Sequence, residues 1–411
     1  MVQEQKTPEH RSSEKLSCVR YEISAGLTIA AQCTEFVFVC FGTLRNTVRI
    51  LLTLALVVLL LAGCKHTPEN RAHLLPDWQS VEFVPAPAAV PRLPVSAPAA
   101  IILPAEAVTN QSADTWVPFN RWCKTAGLCP PVCLAAAPLP TYALATAKGN
   151  LLFQAGSQVA HWDGIELRLG FAPQWIDRQP YIHALDLSKT LEPLMTGNCQ
   201  FCPHAAPVLV LDPGHGGEDA GAKSAVERGW EKQFTLDWAR RLQSLLVTNG
   251  WQVFLTRTDD RELALSNRVA FAEHHNADLF LSLHFNSAGT NATQAGLETY
   301  CVTPFGMPST ITRGYIDDPT LRFPNNAFDP QNLQLAFRLH RTLLEVNGHL
   351  DRGVRRARFL SVLRNQQRPA ILIEGGYLSN PREARRIADP AYRQKLAEAV
   401  AQGLAIESLR N

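Results

Sequence analysis

The sequence has no large excess of charge of either sign. Lysine and arginine number 39, aspartate and glutamate number 37, and the formal net charge is +2 over 411 residues. Proteins that bind nucleic acid by charge need a basic surface, so this balance predicts no nucleic-acid partner. The apolar fraction of 46% is ordinary for a globular protein, and the length leaves room for two or three domains.

The N-terminal region also lacks an apolar run long enough to cross a membrane comfortably. The run at residues 50–61 is shorter than the roughly 20 residues that a spanning helix needs, and Arg45 and Arg49 give it a positive flank. Residues 45–64 are therefore predicted to be a secretion signal, with an uncleaved anchor as the alternative. Because a signal rarely follows so long a leader, we expect translation to begin nearer Val48.

The signal ends in L-A-G-C at Cys64, which resembles the lipobox of bacterial lipoproteins. The resemblance implies cleavage before Cys64 and attachment of a diacylglyceryl group to its thiol. Several acyl chains would hold the protein firmly at a membrane. The protein is then expected in the periplasm, anchored through lipid, and Lys65 at the next position favours the outer membrane.

Beyond the leader and signal at residues 1–64, the composition changes twice. Residues 65–114 are rich in proline and alanine and predict an extended linker without a core. Residues 115–200 contain short apolar runs separated by turn residues, which predicts a small β-rich module. Its H-W-D-G-I-E-L, F-A-P and P-Y-I segments resemble the small module at the N-terminus of copper amine oxidases. A wall-binding role and a spacer role are both open for this module.

Six cysteines lie beyond the signal. Cys199 and Cys202 form a C-x-x-C motif, which in a cytosolic protein suggests zinc or redox chemistry. In an exported chain, disulfides are the better interpretation. We therefore expect oxidised cysteines in the cluster of Cys123, Cys129 and Cys133 and in the Cys199/Cys202 pair, with the pairing left open.

Three apolar runs in the C-terminal half each end on a residue that can bind a metal or transfer a proton. V-L-V-L-D-P-G-H-G-G at residues 208–217 places His215 among glycines, A-D-L-F-L-S-L-H reaches His284, and P-A-I-L-I-E reaches Glu374. A single histidine at a strand end is more often a structural residue than a ligand. Three such residues together predict a site, because open α/β sheets bind ligands at the carboxyl ends of their strands.

Strand and helix patterns alternate from about residue 207 to 409. This alternation predicts an α/β domain in which a mainly parallel sheet carries helices on both faces. Strands are predicted at residues 208–211, 252–255, 279–284, 297–302, 359–363 and 371–374, and helices at 231–247, 262–275, 332–346 and 391–409.

Four segments of this domain, taken in order, carry a family resemblance. D-P-G-H-G-G, the E-K pair at Glu231, S-L-H-F-N-S and I-E-G-G-Y-L-S-N resemble the zinc-dependent N-acetylmuramoyl-L-alanine amidases, a family of bacterial cell-wall hydrolases. The resemblance spans about residues 207–409. It implies Zn2+ at the strand ends, bound by His215, Glu231 and His284, and it implies Glu374 as the catalytic acid and base.

The implied reaction is hydrolysis of the amide between N-acetylmuramic acid and L-alanine in peptidoglycan, during wall turnover or daughter-cell separation. A catalytically silent wall-binding lipoprotein and a zinc peptidase that cuts within the stem peptide are the alternatives. Glu218 and Glu227 are rivals of Glu231 as third ligand, but a helix start holds a ligand more rigidly. Asp212 is expected to form the turn or to support His215 directly. The sequence identifies no activator protein.

Two features of the domain leave their roles open. Residues 303–329 are rich in glycine, proline and asparagine and lack a helical period, and we hypothesise that this loop borders the substrate groove. Arginines concentrate positive charge before the strand of Glu374, and they form either a solvated face or a site for carboxylates of the peptide stem. These arginines are Arg352, Arg355, Arg356, Arg358, Arg364 and Arg368.

Overall fold

The structure is a computed structural model, and it describes residues 115–136, 139–196, 206–226, 229–348 and 350–406. Outside these ranges lie the signal with Cys64, the linker, Cys199, Cys202 and Glu227. The expectations for those positions stay predictions. The described residues all belong to one compact unit. Within the described ranges, no helix combines the length and the apolar character that crossing a membrane requires.

The strands, in chain order, are β1 (Trp116–Pro118), β2 (Val132–Ala135), β3 (Thr141–Thr146), β4 (Gly149–Gln154), β5 (Val159–Trp162), β6 (Ile165–Arg168), β7 (Gln174–Ile176), β8 (Gln179–His183), β9 (Val208–Pro213), β10 (Gln252–Leu255), β11 (Leu279–Asn286), β12 (Leu297–Cys301), β13 (Asp351–Arg356) and β14 (Ala370–Tyr377). The α-helices are α1 (Phe119–Thr125), α2 (Ala184–Asp186), α3 (Glu192–Thr196), α4 (Glu231–Thr248), α5 (Leu265–His274), α6 (Asp329–Asn347), α7 (Ser361–Arg364), α8 (Pro381–Ala388) and α9 (Pro390–Gly403). A π-helix spans Leu187–Leu191, and a 3-10 helix spans Pro324–Phe328.

The larger sheet has the strand order β10-β9-β11-β14-β12-β13-β6-β5-β4-β3-β2. Strands β10, β9, β11 and β14 are parallel to one another. Strand β12 is antiparallel to β14, and β13 is parallel to β12. The carboxyl ends of β9, β11 and β14 therefore meet at one edge of the sheet, where His284 lies in register with Glu374. A smaller sheet has the order β1-β8-β7.

Side chains of the parallel strands alternate between two apolar layers, one on each face of the sheet. In β9, Leu209 and Leu211 belong to a buried cluster with residues of α4, α6 and α9, whereas Val208 and Val210 belong to a second cluster with residues of α5 and α7. A strand that is buried on both faces needs a continuous apolar run, which explains V-L-V-L. The prediction of an α/β fold with a mainly parallel sheet and helices on both faces is confirmed.

One predicted element is wrong, and one helix was not predicted. Residues 359–363 are not a strand, because residues 361–363 belong to the short helix α7, and the strand in this part of the chain is β13. The sequence of β13, D-R-G-V-R-R, has no apolar alternation that could reveal it. The closing helix predicted at residues 391–409 is present as α9, which ends at Gly403, and the helix α8 before it was not predicted. Asp389 separates the two helices and caps α9 by accepting a hydrogen bond from Ala391 N at 2.9 Å.

The predicted β-rich module continues the larger sheet, because β6 lies beside β13. A backbone bridge joins Leu167 to Val354. The carboxylate of Asp351 accepts a hydrogen bond from Glu166 N at 2.8 Å, and Arg355 lies 3.0 Å from the carboxylate of Glu166. We call this contact, Glu166 and Leu167 against residues 351–355, the seam. One buried apolar cluster includes residues on both sides of the seam, so the two regions share a core.

Among the described residues of the β-rich segment, Cys123, Cys129 and Cys133 form no disulfide. Cys123 is a buried free thiol, and Cys129 and Cys133 are exposed free thiols. Burial raises the pKa of the Cys123 thiol to about 11, so this group is neutral and packs as a small apolar side chain. The prediction of oxidised cysteines in this cluster is therefore wrong.

Candidate metal centre

His215, Glu231 and His284 come together at the carboxyl edge of the sheet. His215 lies in the loop after β9, Glu231 is the first residue of α4, and His284 lies near the end of β11. Their ligand atoms all lie within 4.8 Å of one another. Oε2 of Glu231 is 3.1 Å from Nε2 of His215, and its Oε1 is 2.9 Å from Nδ1 of His284. Three separate segments thus supply one cluster of potential ligands.

Glycines make room for this cluster. A Cβ atom at Gly214 would collide with the ring of His284, and one at Gly221 would lie 2.6 Å from His215 and 2.7 Å from Glu231. Gly221 also has a φ of 68°, in the left-handed region that favours glycine. His215 itself has a φ of 63°, a strained conformation for a residue with a side chain and one that is common at functional sites. The glycine-rich sequence is therefore required by the close approach of the ligands.

Glu231 is the most buried member of the cluster, with 4% of its surface exposed. Its Oε1 accepts a hydrogen bond from Phe285 N at 3.0 Å, and its Oε2 accepts one from Ala222 N at 2.9 Å. Burial alone would raise the pKa of Glu231, but the hydrogen bonds from His215 and His284 outweigh it and lower that pKa. The first turn of a helix also favours a negative charge. The carboxylate is therefore held in its anionic form, which metal binding requires.

Asp219 orients His215 from the side opposite Glu231. Its carboxylate lies 2.9 Å from Nδ1 of His215, while Nε2 faces Glu231. Burial would lower the pKa of His215, but the hydrogen bonds and charges of Glu231 and Asp219 raise it to about 9. Carboxylates commonly hold the second ring nitrogen of a metal-binding histidine. Asp219 was not among the predicted site residues, although its position four residues after a predicted ligand is a signal that could have indicated it.

Asp212 does not support His215 by direct contact, which was one of the two roles predicted for it. Its buried carboxylate accepts hydrogen bonds from Thr256 at 2.7 Å, from Ser282 at 2.8 Å and from Arg268 at 2.7 Å. Arg268 also donates to the backbone oxygen of His215 at 2.9 Å. The support that Asp212 gives to His215 is therefore indirect and runs through Arg268.

Glu374 lies beside the cluster on β14. The strand register pairs it with His284 on one side and with Glu298 on the other. Its Oε2 is buried and has no hydrogen-bond partner among the residues that the structure describes. Burial raises the pKa of Glu374 to about 8, the charge of Glu231 adds to this rise, and the charge of Arg313 opposes it. A buried, unpartnered carboxyl oxygen beside three potential ligands is well placed to transfer a proton.

A second buried carboxylate, Glu298, joins the ends of three strands. Its Oε2 accepts hydrogen bonds from Asn286 at 2.7 Å, from the hydroxyl of Tyr300 at 2.9 Å and from the hydroxyl of Tyr377 at 3.1 Å. Its Oε1 accepts one from Arg352 at 3.0 Å. These contacts fix β11, β12 and β14 relative to one another next to the cluster. The sequence analysis missed Glu298, because a lone acid in a strand pattern usually faces solvent.

The arginines that precede β14 are bound within the protein, and most of them are buried. Their partners are Glu298 for Arg352, Glu166 for Arg355, Thr190 for Arg356, Asp317 for Arg358, the backbone oxygen of Arg358 for Arg364, and Glu273 for Arg368. The burial of Arg355, Arg356, Arg358 and Arg368 contradicts a solvated face, whereas the binding of substrate carboxylates stays a prediction. The charges of these arginines stabilise the seam and the packing of loops against the sheet.

Of the two rival ligands, Glu218 is exposed and does not join the cluster, and Glu227 lies outside the described residues. Two imidazoles and one carboxylate fit a hydrolytic zinc site, in which three protein ligands leave a fourth position for water. The fold and this donor set define a class of protein, the α/β proteins with a His–Glu–His centre and a buried carboxyl group beside it.

Known proteins resemble this chain over the same region. The family model for N-acetylmuramoyl-L-alanine amidase matches residues 209–406. The N-acetylmuramoyl-L-alanine amidase AmiA of Escherichia coli K12 is 32% identical over 219 residues, which cover 48% of this chain and 74% of that protein. The N-acetylmuramoyl-L-alanine amidase CwlM of Bacillus licheniformis is 34% identical over 200 residues, which cover 48% of this chain and 67% of that protein.

Among solved structures, the catalytic domain of the amidase CwlV from Bacillus (Paenibacillus) polymyxa is 32% identical, has a TM-score of 0.40, and covers 48% of this chain and 96% of that one. The identity to AmiA and CwlM, over most of their length, decides the family. This chain belongs to the N-acetylmuramoyl-L-alanine amidase family, and the family resemblance found in the sequence is confirmed.

Proposed function

We propose that this protein uses zinc to hydrolyse the amide between N-acetylmuramic acid and L-alanine of the stem peptide in peptidoglycan. The observation that carries the proposal is the convergence of His215, Glu231 and His284 beside Glu374. Membership of the amidase family supports the choice of the cleaved bond.

The donor set supports zinc as the metal. His215, Glu231 and His284 would hold the ion, and the hydrogen bond of Asp219 to Nδ1 keeps Nε2 of His215 turned toward Glu231. Bound zinc would lower the pKa of a water molecule to roughly 7 and polarise the amide carbonyl. The protein contributes a prearranged set of ligands whose single carboxylate is already anionic.

Glu374 is placed to move the proton that the reaction transfers. Its unpartnered Oε2 can take a proton from the attacking water and deliver it to the amide nitrogen. Because an amide nitrogen leaves poorly unless it is protonated, the base of the first step must become the acid of the second. Burial raises the pKa of Glu374 to about 8, so this carboxyl group can both take up and release a proton at a pH near neutrality.

Digestion of purified peptidoglycan, followed by mass spectrometry, tests the reaction. We expect intact stem peptides that begin with L-alanine, together with uncut glycan strands. Stems cut internally would favour the zinc peptidase, and binding without any cleavage would favour the silent wall-binding lipoprotein. A chelator should abolish the release of stems, and added zinc should restore it.

We also propose that the protein is exported and anchored by lipid at Cys64. The support for this proposal is the L-A-G-C sequence that follows an apolar run. Cys64→Ala is expected to move the protein out of the membrane fraction of the producing cells. Retention of that variant in the membrane fraction would contradict lipidation.

Peptidoglycan turnover or daughter-cell separation is the proposed process. Chains of unseparated cells in a deletion strain would support daughter-cell separation.

A further inference from the structure

The loop at residues 303–329, which the sequence analysis placed beside the substrate groove, is fixed to the rest of the fold. Nη1 of Arg358 lies 2.6 Å from the carboxylate of Asp317. The ring of Tyr315 stacks on that of Phe359, with the ring centroids 5.4 Å apart. The loop is therefore held in place by contacts of its own.

Arg313 extends from this loop to the strand ends that form the metal centre. Its Nη2 donates hydrogen bonds to Oδ1 of Asn286 at 3.3 Å and to the hydroxyl of Tyr300 at 3.2 Å. The guanidinium lies over the rings of Tyr300 and Phe359, 5.7 and 5.5 Å from their centroids. Asn286 ends the strand that carries His284. A positive charge therefore stands at the edge of the sheet where the reaction is proposed to occur.

Arg313 differs from Arg352, Arg355, Arg358 and Arg368, each of which pairs with a carboxylate. Both hydrogen bonds of Arg313 go to neutral oxygens, and it forms no ion pair within the described part of the chain, although its charge acts at longer range on the carboxyl groups of Glu374 and Glu298. Its φ of 47° is strained, and strained residues are frequent at ligand contacts. A planar guanidinium presents paired donors that match a carboxylate. Arg313 thus has donors available for an anionic ligand.

The substrate of the proposed function offers negative charge on one side of the cleaved bond. N-acetylmuramic acid uses its carboxyl group in that amide, which leaves the glycan neutral near the bond. L-alanine uses its own carboxyl group in the next peptide bond. The second residue of the stem is joined through its side-chain carboxyl group and therefore carries the first free carboxylate, unless that group is amidated.

We infer that Arg313 binds this first free carboxylate and makes the enzyme selective for stems in which the group is not amidated. The inference rests on the proposed amidase function. Tyr300 and Asn286 hold the guanidinium at the strand ends, and charge-assisted hydrogen bonds to a carboxylate are stronger than the two that it makes to neutral oxygens. Arg313 is then a specificity-determining residue, whereas proton transfer belongs to Glu374.

Two N-acetylmuramoyl peptides that differ only in this group, carboxylate in one and amide in the other, test the inference with the full-length, zinc-loaded enzyme. Arg313→Gln is expected to raise KM for the carboxylate substrate about 10- to 100-fold and to leave KM for the amide substrate almost unchanged. Because the charge of Arg313 lowers the pKa of Glu374, the pH profile of kcat should shift upward equally for both substrates. Arg313→Lys keeps the charge but loses the planar fork, and it should fall between the two. The matched control is Arg322→Gln in the same loop, where Arg322 lies over the ring of Phe305. It should leave both substrates unaffected.

Equal rises in KM for both substrates would overturn the inference, because Arg313 would then not distinguish the carboxylate from the amide. An unchanged KM for both substrates would also overturn the inference. A lower zinc content or a lower Tm of the Arg313→Gln variant would overturn it as well, because Arg313 would then be a structural residue. Failure of the proposed function looks different, because the unmodified enzyme would then release the stem from neither substrate.

Discussion

The metal centre and the seam between β6 and β13 are held together in different ways. In the metal centre, the ligand atoms lie within 4.8 Å of one another, and the carboxylate of Glu231 contacts both histidines. At the seam, one backbone bridge is accompanied by an ion pair and a hydrogen bond that involve Glu166. A single substitution should therefore abolish the function of the metal centre, whereas the seam should lose only part of its stability.

Among these substitutions, Glu374→Gln should have the largest effect, and it tests the metal centre. The side-chain amide of the introduced glutamine cannot take up and deliver the proton, so turnover of a muropeptide should fall about 100- to 10,000-fold. The zinc content, measured by elemental mass spectrometry, should stay unchanged because Glu374 is outside the ligand cluster. An active Glu374→Gln variant would show that the acid and base has been assigned to the wrong residue.

Asp219→Asn should weaken zinc binding without removing a ligand. The variant loses the charged partner of His215, and zinc affinity should fall about 10- to 100-fold. Competition with a chromogenic chelator measures this affinity. The matched control is Glu218→Gln at the exposed neighbouring position, which should bind zinc as the unmodified protein does. Equal affinities of the two variants would exclude the orienting role of Asp219.

Gly353→Ala tests whether the seam needs close contact of its two strands. Gly353 has a φ of 82°, and a Cβ atom there would lie 2.5 Å from the backbone oxygen of Glu166. The free energy of unfolding should fall by about 1–3 kcal/mol, measured by chemical denaturation. Gly314→Ala is the matched control, since Gly314 has the same φ of 82° but open space around its Cβ position. A loss no greater than that of the control would show that β6 and β13 tolerate separation.

The ion pair at the seam should contribute least. The side chains of Arg355 and Glu166 are 10% and 23% exposed, so a double-mutant cycle with Arg355→Gln and Glu166→Gln should give a coupling energy of about 1 kcal/mol. The pair of Arg261 and Asp259 is 55% and 63% exposed, and the same cycle there should give a coupling near zero. Equal coupling in both cycles would remove the electrostatic part of the seam.

The metal centre could be predicted from the sequence because its signals are local. His215 follows an apolar run and lies in a turn among glycines. His284 and Glu374 each end an apolar run that predicts a strand. Glu231 needed the family resemblance, since acids are common in the first turn of a helix. Arg313 and its contacts depend on the path of a long loop, which no pattern describes.

The seam could not be predicted for a different physical reason. Its strand β13 reads D-R-G-V-R-R, and buried arginines in a sequence look the same as exposed ones. Whether such a charge is solvated depends on a partner elsewhere in the chain, here Glu166 for Arg355, and composition does not reveal that pairing. The division into two predicted domains therefore missed a sheet that runs through both.

The central claim is that His215, Glu231 and His284 bind one metal ion together. The most direct test is to measure the zinc content of the purified protein and of the His215→Ala/His284→Ala double variant. Circular dichroism should first show that both proteins are folded. The account predicts about one zinc per chain in the unmodified protein and almost none in the double variant. Equal zinc in both proteins, or none in the unmodified protein after loading, would contradict it.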